Sequence, residues 1–279
     1  MPSLLALSPS PPVRAPRAGR SAARAAFRVV VGIAFAAISG SAGADLPDAI
    51  DRIKRSVVVV GTYNPTAAPR FQMKGTGFAV GDGNLVLTNA HVVEPGVADA
   101  GPAPLMVQVW VDKTERQGRA ATLIDTDKAH DLALLRIEGA PLRPLVLADS
   151  ASVREGQAVA FMGFPIGGAL GFSPVTHRGT ISSITPVALP TPTAGQLNEQ
   201  AITRIREGTF DIFQLDGTAY PGNSGGPLFD PQTGGVLGVV NMTLVKGSRE
   251  SALSQPSGIS YAIPATFVVQ LLQRNKQNR

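Results

Sequence analysis

Apolar residues after residue 55 fall in short runs rather than in a 3.6-residue helical rhythm. The runs read SVVVVGT, GTGFAV, LVLT, LMVQVWV, LALLRI, AVAFMG, GTISSI, FDIFQL, GVLGVVNM and GISYAI, with Gly, Pro, Asn and Asp between them. β-Branched residues are frequent in them, as pleated, half-buried segments favour. Gly81-Asp82-Gly83-Asn84 separates GFAV from LVLT, and such residues tolerate the positive φ of a hairpin turn. Many short strands without intervening helices predict an all-β sandwich or barrels, not a parallel α/β sheet.

The stretch PLRPLVLADSASVREGQ, residues 141–157, reads as a connector between two β units. A terminal helix is predicted over 264–276. Pro264 suits a first helical turn, and Phe267, Val268, Leu271 and Leu272 form an apolar stripe. EQAITRIRE, residues 199–207, is a weaker amphipathic piece inside a Pro/Thr/Gly-rich segment. The chain carries no defensible internal repeat.

The net charge of +5 suggests a basic protein until its distribution is considered. Arg14, Arg17, Arg20, Arg24 and Arg28 precede residue 29, where no acid occurs; removing those five from 25 basic residues leaves 20 against 20 acidic. The remainder is neutral, its basic residues are unclustered and aromatics are few, which argues against nucleic acid as a partner. The apolar run VVVGIAFAAI follows those arginines, is short for a membrane span, and leads to SGSAGAD. Ala42 and Ala44 give a small-x-small cleavage pattern, so residues 1–44 read as a signal peptide cut after Ala44. A membrane association is then expected only if that segment stays uncleaved. With no cysteine, an exported chain must be stabilised by packing alone. Three scattered histidines make no zinc pattern, and Gly75-Thr76-Gly77 precedes a strand, so neither a metal nor a dinucleotide cofactor is implied.

The three histidines are His91 in VLTNAHVV, His130 in DKAHDLALLRI and His177 in SPVTHRGTIS. Taken singly, each reads as a surface or structural residue. Ser224 lies in AYPGNSGGPLF and fits the G-x-S-x-G pattern of α/β-hydrolases, but there the base follows the serine and no histidine follows residue 177. The opposite order, His91, Asp131, Ser224, is that of the double β-barrel of chymotrypsin. GTGFAVGDGNLVLTNAHVV, DLALLRI and FDIFQLDGTAYPGNSGGPLF together resemble the histidine, aspartate and serine motifs of the HtrA (Deg) branch of trypsin-like serine proteases. GGVLGVVNM and GISYAIP resemble the strands beyond, and the likeness runs from about residue 46 to 272.

The resemblance implies two six-stranded antiparallel β-barrels with a C-terminal helix: a first barrel over about 50–140, a second over about 155–265, and a serine protease domain spanning 45–279. It implies a serine endopeptidase acting on unfolded or exposed polypeptide, periplasmic or secreted from a bacterium. A serine hydroxyl needs an imidazole to take its proton. His91 would be that base, Asp131 would orient its ring, and Ser224 would be the nucleophile. Asp125 and Asp127 are rivals to Asp131, which the family motif favours by its place directly before LALL. A Gly-Asn-Ser turn, Gly222-Asn223-Ser224, can aim the backbone N–H groups of Gly222 and Ser224 at an oxyanion. Two other classes stand beside this reading: a chaperone-like or regulatory binding protein on the same fold, and a membrane-tethered signalling protease.

Asn223 stands where trypsin-like zymogens carry an Asp that pairs with a new N-terminal amine, so activation by trimming is not implied. Segment 186–208 reads either as a regulatory loop or as a tolerated insertion. Thr218 is placed at the floor of the first specificity pocket, with Val239 and Val240 nearby, which favours a small to medium apolar side chain. HtrA proteins usually carry PDZ domains after the protease, whereas the sequence here closes with the short tail QRNKQNR at the end of the terminal helix. Peptide sensing by such a domain is thus not expected, and homotrimer formation through the protease domain stays open.

Overall fold

The four consecutive valines of β1 (Val57–Tyr63) explain why the sequence reads as apolar runs rather than as alternation. All four are fully buried: Val58 and Val60 pack with Val86, Val107 and Leu135, while Val57 and Val59 join a cluster drawn from both halves of the molecule. A strand covered on both faces has no polar register to keep. The computed structural model describes residues 45–94, 103–112, 115–165, 172–187, 210–241 and 258–277.

Five more strands complete the first barrel: β2 (Phe71–Val80), β3 (Leu85–Asn89), β4 (Leu105–Trp110), β5 (Arg116–Asp127) and β6 (Leu132–Ile137). They close antiparallel in the order β1-β2-β3-β6-β5-β4. The predicted hairpin joins β2 to β3, with Val80 opposite Leu85 and positive φ at Gly81 and Gly83. The second barrel closes as β10-β11-β12-β9-β8-β7, from β7 (Ala158–Gly163), β8 (Val175–Val187), β9 (Phe210–Asp216), β10 (Pro227–Phe229), β11 (Val236–Asn241) and β12 (Ile259–Pro264). Its interior holds Phe161, Ile181, Phe213, Leu215, Leu228 and Val240.

Between the barrels lies a third cluster, in which Val59, Phe78, Leu87 and Leu134 meet Met162, Phe164, Phe229 and Val239. Side chains of that size contribute about 1.5–3 kcal/mol each on full burial, which fixes the barrels against one another. The connector expected at 141–157 crosses this joint. Leu145 N donates to Ala79 O of the first barrel, and Ala148 N donates to Val236 O of the second.

Three differences from the sequence reading have plain causes. β5 has no apolar run, because much of it is exposed and it carries Arg, Gln and Asp. A helix not expected there, α1 (Leu46–Ile53), is capped by the Asp45 side chain and buries Ala49 and Ile53. After the four-residue α2 (Ala90–Val93), the terminal helix is α3 (Ala265–Gln277), with Pro264 ending β12 instead of opening the helix. α3 buries Ala265, Val268 and Leu271, and its Thr266 N donates to Ser150 Oγ. The expected leader 1–44, the weak helix at 199–207 and the part of 186–208 beyond Val187 lie outside the described residues. No described helix is long and apolar enough to cross a membrane.

Candidate active site

β3 ends at Asn89 and the chain turns at once into α2, which carries His91. Asp131 immediately precedes β6, in the left-handed conformation with φ 51°. Aspartate adopts that conformation more readily than most side chains. The strain is offset by the neighbouring chain: Asp131 O accepts from Ala90 N at 3.1 Å and from Asn89 Nδ2 at 3.0 Å. The carboxylate then reaches His91 twice. Oδ2 lies 2.6 Å from Nδ1 of the ring and Oδ1 accepts from the His91 backbone N at 2.9 Å. Asn241, the last residue of β11, donates Nδ2 to Asp131 Oδ2 at 2.8 Å. A carboxylate so held fixes both the tautomer and the plane of the imidazole, leaving Nε2 as the nitrogen for chemistry.

The rival acids are engaged elsewhere. Asp125 is bound by Arg274 of α3 at 3.0 and 3.2 Å. Asp127 pairs with His130 Nδ1 at 2.8 Å. Burial alone would raise the Asp127 carboxyl, but the hydrogen bond and charge of His130 outweigh it and hold the group below the usual carboxylate range. His130 also stacks on Phe267 of α3, with ring centroids 3.8 Å apart. The second of the three histidines thus clamps the terminal helix to the turn that presents Asp131.

Ser224 belongs to the second barrel, in the turn before β10, and is largely buried. Thr76 of β2, itself fully buried, ties this turn to the first barrel. Its backbone N donates to Ser224 O at 2.8 Å, and its Oγ1 donates to Gly222 O at 2.6 Å while accepting from Phe164 N at 3.1 Å. Thr88 Oγ1 in turn donates to Thr76 O at 2.7 Å. Gly225, at φ 85°, leaves no room for a side chain: a Cβ there would run into Thr76 O and Thr88 Oγ1 and lie 3.2 Å from Asn89 N. The serine turn therefore abuts the segment that leads to His91. Among the described residues no hydrogen bond joins Ser224 Oγ to the His91 ring. Such bonds are often long before substrate binds.

The backbone donors of the turn divide in a telling way. Asn223 N donates to Tyr220 O at 2.9 Å, Gly225 N to Val240 O at 2.9 Å and Gly226 N to Asn223 O at 3.0 Å. Among the described residues, Gly222 N and Ser224 N have no acceptor. Gly222 adopts φ 103°, which a side chain would oppose, and a Cβ there would also strike Phe164 O. Asn223 is fully buried.

The pocket residues fare unevenly. Thr218 is half-buried and its two peptide neighbours are braced by Ser260, whose Oγ donates to Gly217 O at 2.6 Å and accepts from Ala219 N at 2.7 Å. Val239 and Val240 are fully buried, one in the joint between barrels and the other inside the second barrel, so they offer a ligand no surface. β11 is covered on both faces, which four apolar residues in sequence could not distinguish from a pocket wall. Thr76 and Asn241 escaped the sequence reading. Asn241 left a signal, a polar residue closing an otherwise apolar strand, whereas nothing in GTGF marks Thr76.

Comparison with known proteins identifies relatives of the whole domain. The chain is 33% identical over 207 residues to the mitochondrial serine protease HTRA2 of Drosophila ananassae, covering 74% of this chain and 40% of that protein. With the same coverage it is 32% identical to HTRA2 of Drosophila pseudoobscura pseudoobscura. The chain thus spans about 40% of the length of these relatives. Its fold is similar to that of the HtrA-type protease AlgW solved with a tripeptide, at TM-score 0.56 and 23% identity over 82% of this chain and 62% of that one. It is equally similar to the Rv3671c protease in its inactive form, at TM-score 0.56 and 24% identity over 81% of this chain and 91% of that one. Both likenesses concern the fold. Residues 75–239, from the strand that carries Thr76 to the strand that ends beside Asp131, match the trypsin-like peptidase domain, and the chain belongs to that family.

Proposed function

We propose that this protein is a serine endopeptidase with Ser224 as nucleophile, His91 as general base and Asp131 as the orienting acid. The observation that carries the reading is the Asp131 carboxylate bound at 2.6 Å to His91 Nδ1, beside a serine turn with two unspent N–H groups. Ser224 Oγ attacks the scissile carbonyl as His91 Nε2 takes its proton, and the oxyanion is received by the N–H groups of Gly222 and Ser224. The intermediate collapses, the amine leaves with the proton from His91, and water hydrolyses the acyl-enzyme by the same relay. Asn241 keeps the carboxylate aligned throughout.

The substrates are unfolded or exposed polypeptides, as the resemblance of the three sequence motifs implies. The residue before the scissile bond sits over Thr218, which offers no charge to Lys or Arg, so small to medium apolar side chains are preferred. Export follows from the leader pattern ending at Ala44, and N-terminal sequencing of mature protein beginning at Asp45 would support it.

A fluorophosphonate probe tests the central reading. Labelling of the wild type that disappears in Ser224→Ala is expected. No labelling under any condition would instead favour a binding protein on this fold. Profiling on denatured proteins tests the pocket, and cleavage mainly after Lys or Arg would overturn it.

A further inference from the structure

His177, like His130, takes no part in the proposed chemistry, but it lies against the serine turn. It stands on β8 opposite Phe161 of β7, and its ring stacks on that phenyl ring at 4.8 Å with an interplanar angle of 15°. Tyr220, at the entrance to the turn, lies against it at 6.1 Å. Its Nε2 is 3.4 Å from Asn223 Nδ2. Among the described residues this is the single hydrogen bond of the Asn223 side chain, whose Oδ1 is buried without a partner. Gly163 provides the space for that amide: a Cβ on Gly163 would come within 2.7 Å of Asn223 Oδ1 and 3.0 Å of its Cα.

Asn223 lies between the two N–H groups that receive the oxyanion, so whatever fixes its side chain fixes the peptide planes on either side. An amide this deeply buried and bonded once has its rotamer set by that one partner. From this juxtaposition we propose that His177 is a positioning residue for the oxyanion turn, its Nε2 accepting from Asn223 Nδ2 and locking the Gly222-Asn223-Ser224 backbone in the receptive conformation. The proposal rests on the peptidase reading above and assigns His177 no contact with substrate.

The role requires a bare ring nitrogen. Burial holds the His177 imidazole below its ordinary pKa, and no neighbouring charge is among the causes. Among the described residues the titratable group facing the ring is Tyr220; Arg178, next along β8, points to the opposite face of the strand. In that neutral ring it is the contact with Asn223 Nδ2, a donor, that calls for the tautomer with its proton on Nδ1 and Nε2 as the acceptor.

Two substitutions separate positioning from packing. His177→Phe keeps a ring on Phe161 but offers no acceptor, whereas His177→Gln restores an acceptor oxygen at similar reach. His177→Phe is expected to lower kcat by about ten- to a hundredfold, less than the loss of a donor itself, with KM changed by no more than about threefold. His177→Gln should recover to within about threefold of wild type. Equal losses in both variants accompanied by a fall in Tm would mean packing alone and overturn the proposal, as would wild-type kcat in His177→Phe. A second measurement does not depend on activity. In 15N-labelled Ser224→Ala protein at pH 7, the Nε2 of His177 should resonate as an unprotonated nitrogen and the Asn223 side-chain amide should shift in His177→Phe. A protonated Nε2, or an amide indifferent to the substitution, overturns the inference. If the wild type neither hydrolyses peptides nor takes up the fluorophosphonate, the peptidase reading fails, while the nitrogen resonance still decides the role of His177.

Discussion

Removing one hydroxyl at the joint between the barrels should damage stability and catalysis together. Thr76→Val is nearly isosteric and keeps the backbone bond to Ser224 O, but deletes Oγ1. Two partners are then stranded. Phe164 N sits at a residue only 1% exposed, so losing its acceptor costs toward the upper end of about 1–3 kcal/mol. Gly222 O is half-buried, and water can replace part of its bond, which places it at the lower end of about 1–3 kcal/mol. The added methyl returns about 0.8 kcal/mol. The net destabilisation is about 3 kcal/mol, a large fraction of the usual margin of about 5–15 kcal/mol. For a chain of this size it corresponds to a Tm lower by about 6–12 °C. Because Gly222 O is released, the 222–223 peptide can rotate and kcat should fall by about ten- to a hundredfold. Thr76→Ser is the control: it keeps the hydroxyl and loses a methyl, at about 1 kcal/mol with near-normal kcat. Urea unfolding with a matched fluorophosphonate labelling rate measures both effects. If Thr76→Val unfolded at the wild-type midpoint and labelled at the wild-type rate, the clasp would not hold the turn. If Thr76→Ser were as damaging as Thr76→Val, volume and not hydrogen bonding would be responsible.

Four further outcomes are expected. Asp131→Asn retains a residue suited to φ 51° but holds the wrong tautomer of His91, and should lower kcat by on the order of 10⁴ with little change in Tm; a change under tenfold would remove Asp131 from its role. Asn241→Leu takes a donor from the Asp131 carboxylate and should reduce kcat by about tenfold while KM holds, so a pure KM effect would refute the positioning role. The Asp127 carboxyl is held below its unfolded value of about 3.9, so its contribution is complete above that pH and is lost as pH falls through the lower folded value. Urea midpoints should accordingly decline less steeply between pH 5 and pH 2 in Asp127→Asn than in wild type, at values about these limits. Arg274→Met removes an ion pair whose arginine is 46% exposed, so solvent screening limits the loss to under about 1 kcal/mol; a larger loss would show that α3 depends on charge and not on Val268 and Leu271.

Much of this was legible in the chain itself. The apolar runs separated by turn residues specify strands because valine and isoleucine suit a pleated surface, and Gly81-Asp82-Gly83-Asn84 specifies a hairpin because few other residues accept its backbone angles. The order His91, Asp131, Ser224 excluded an α/β-hydrolase before any contact was known. β5 and the burial of Val239 and Val240 could not be read, since exposure on one strand and cover on both faces of another are set by which strands close the barrels. The same holds at the site. Whether Asp125, Asp127 or Asp131 meets His91 depends on φ at one residue and on where Arg274 and His130 lie, and Thr76, Asn241 and His177 acquire roles only through partners 146, 110 and 46 residues away. Local chemistry is written in the neighbouring residues, because propensity and turn geometry act over a few peptide units. Convergence across the joint was decided by tertiary packing, because two barrels must first close and bury a shared apolar face before distant side chains can meet.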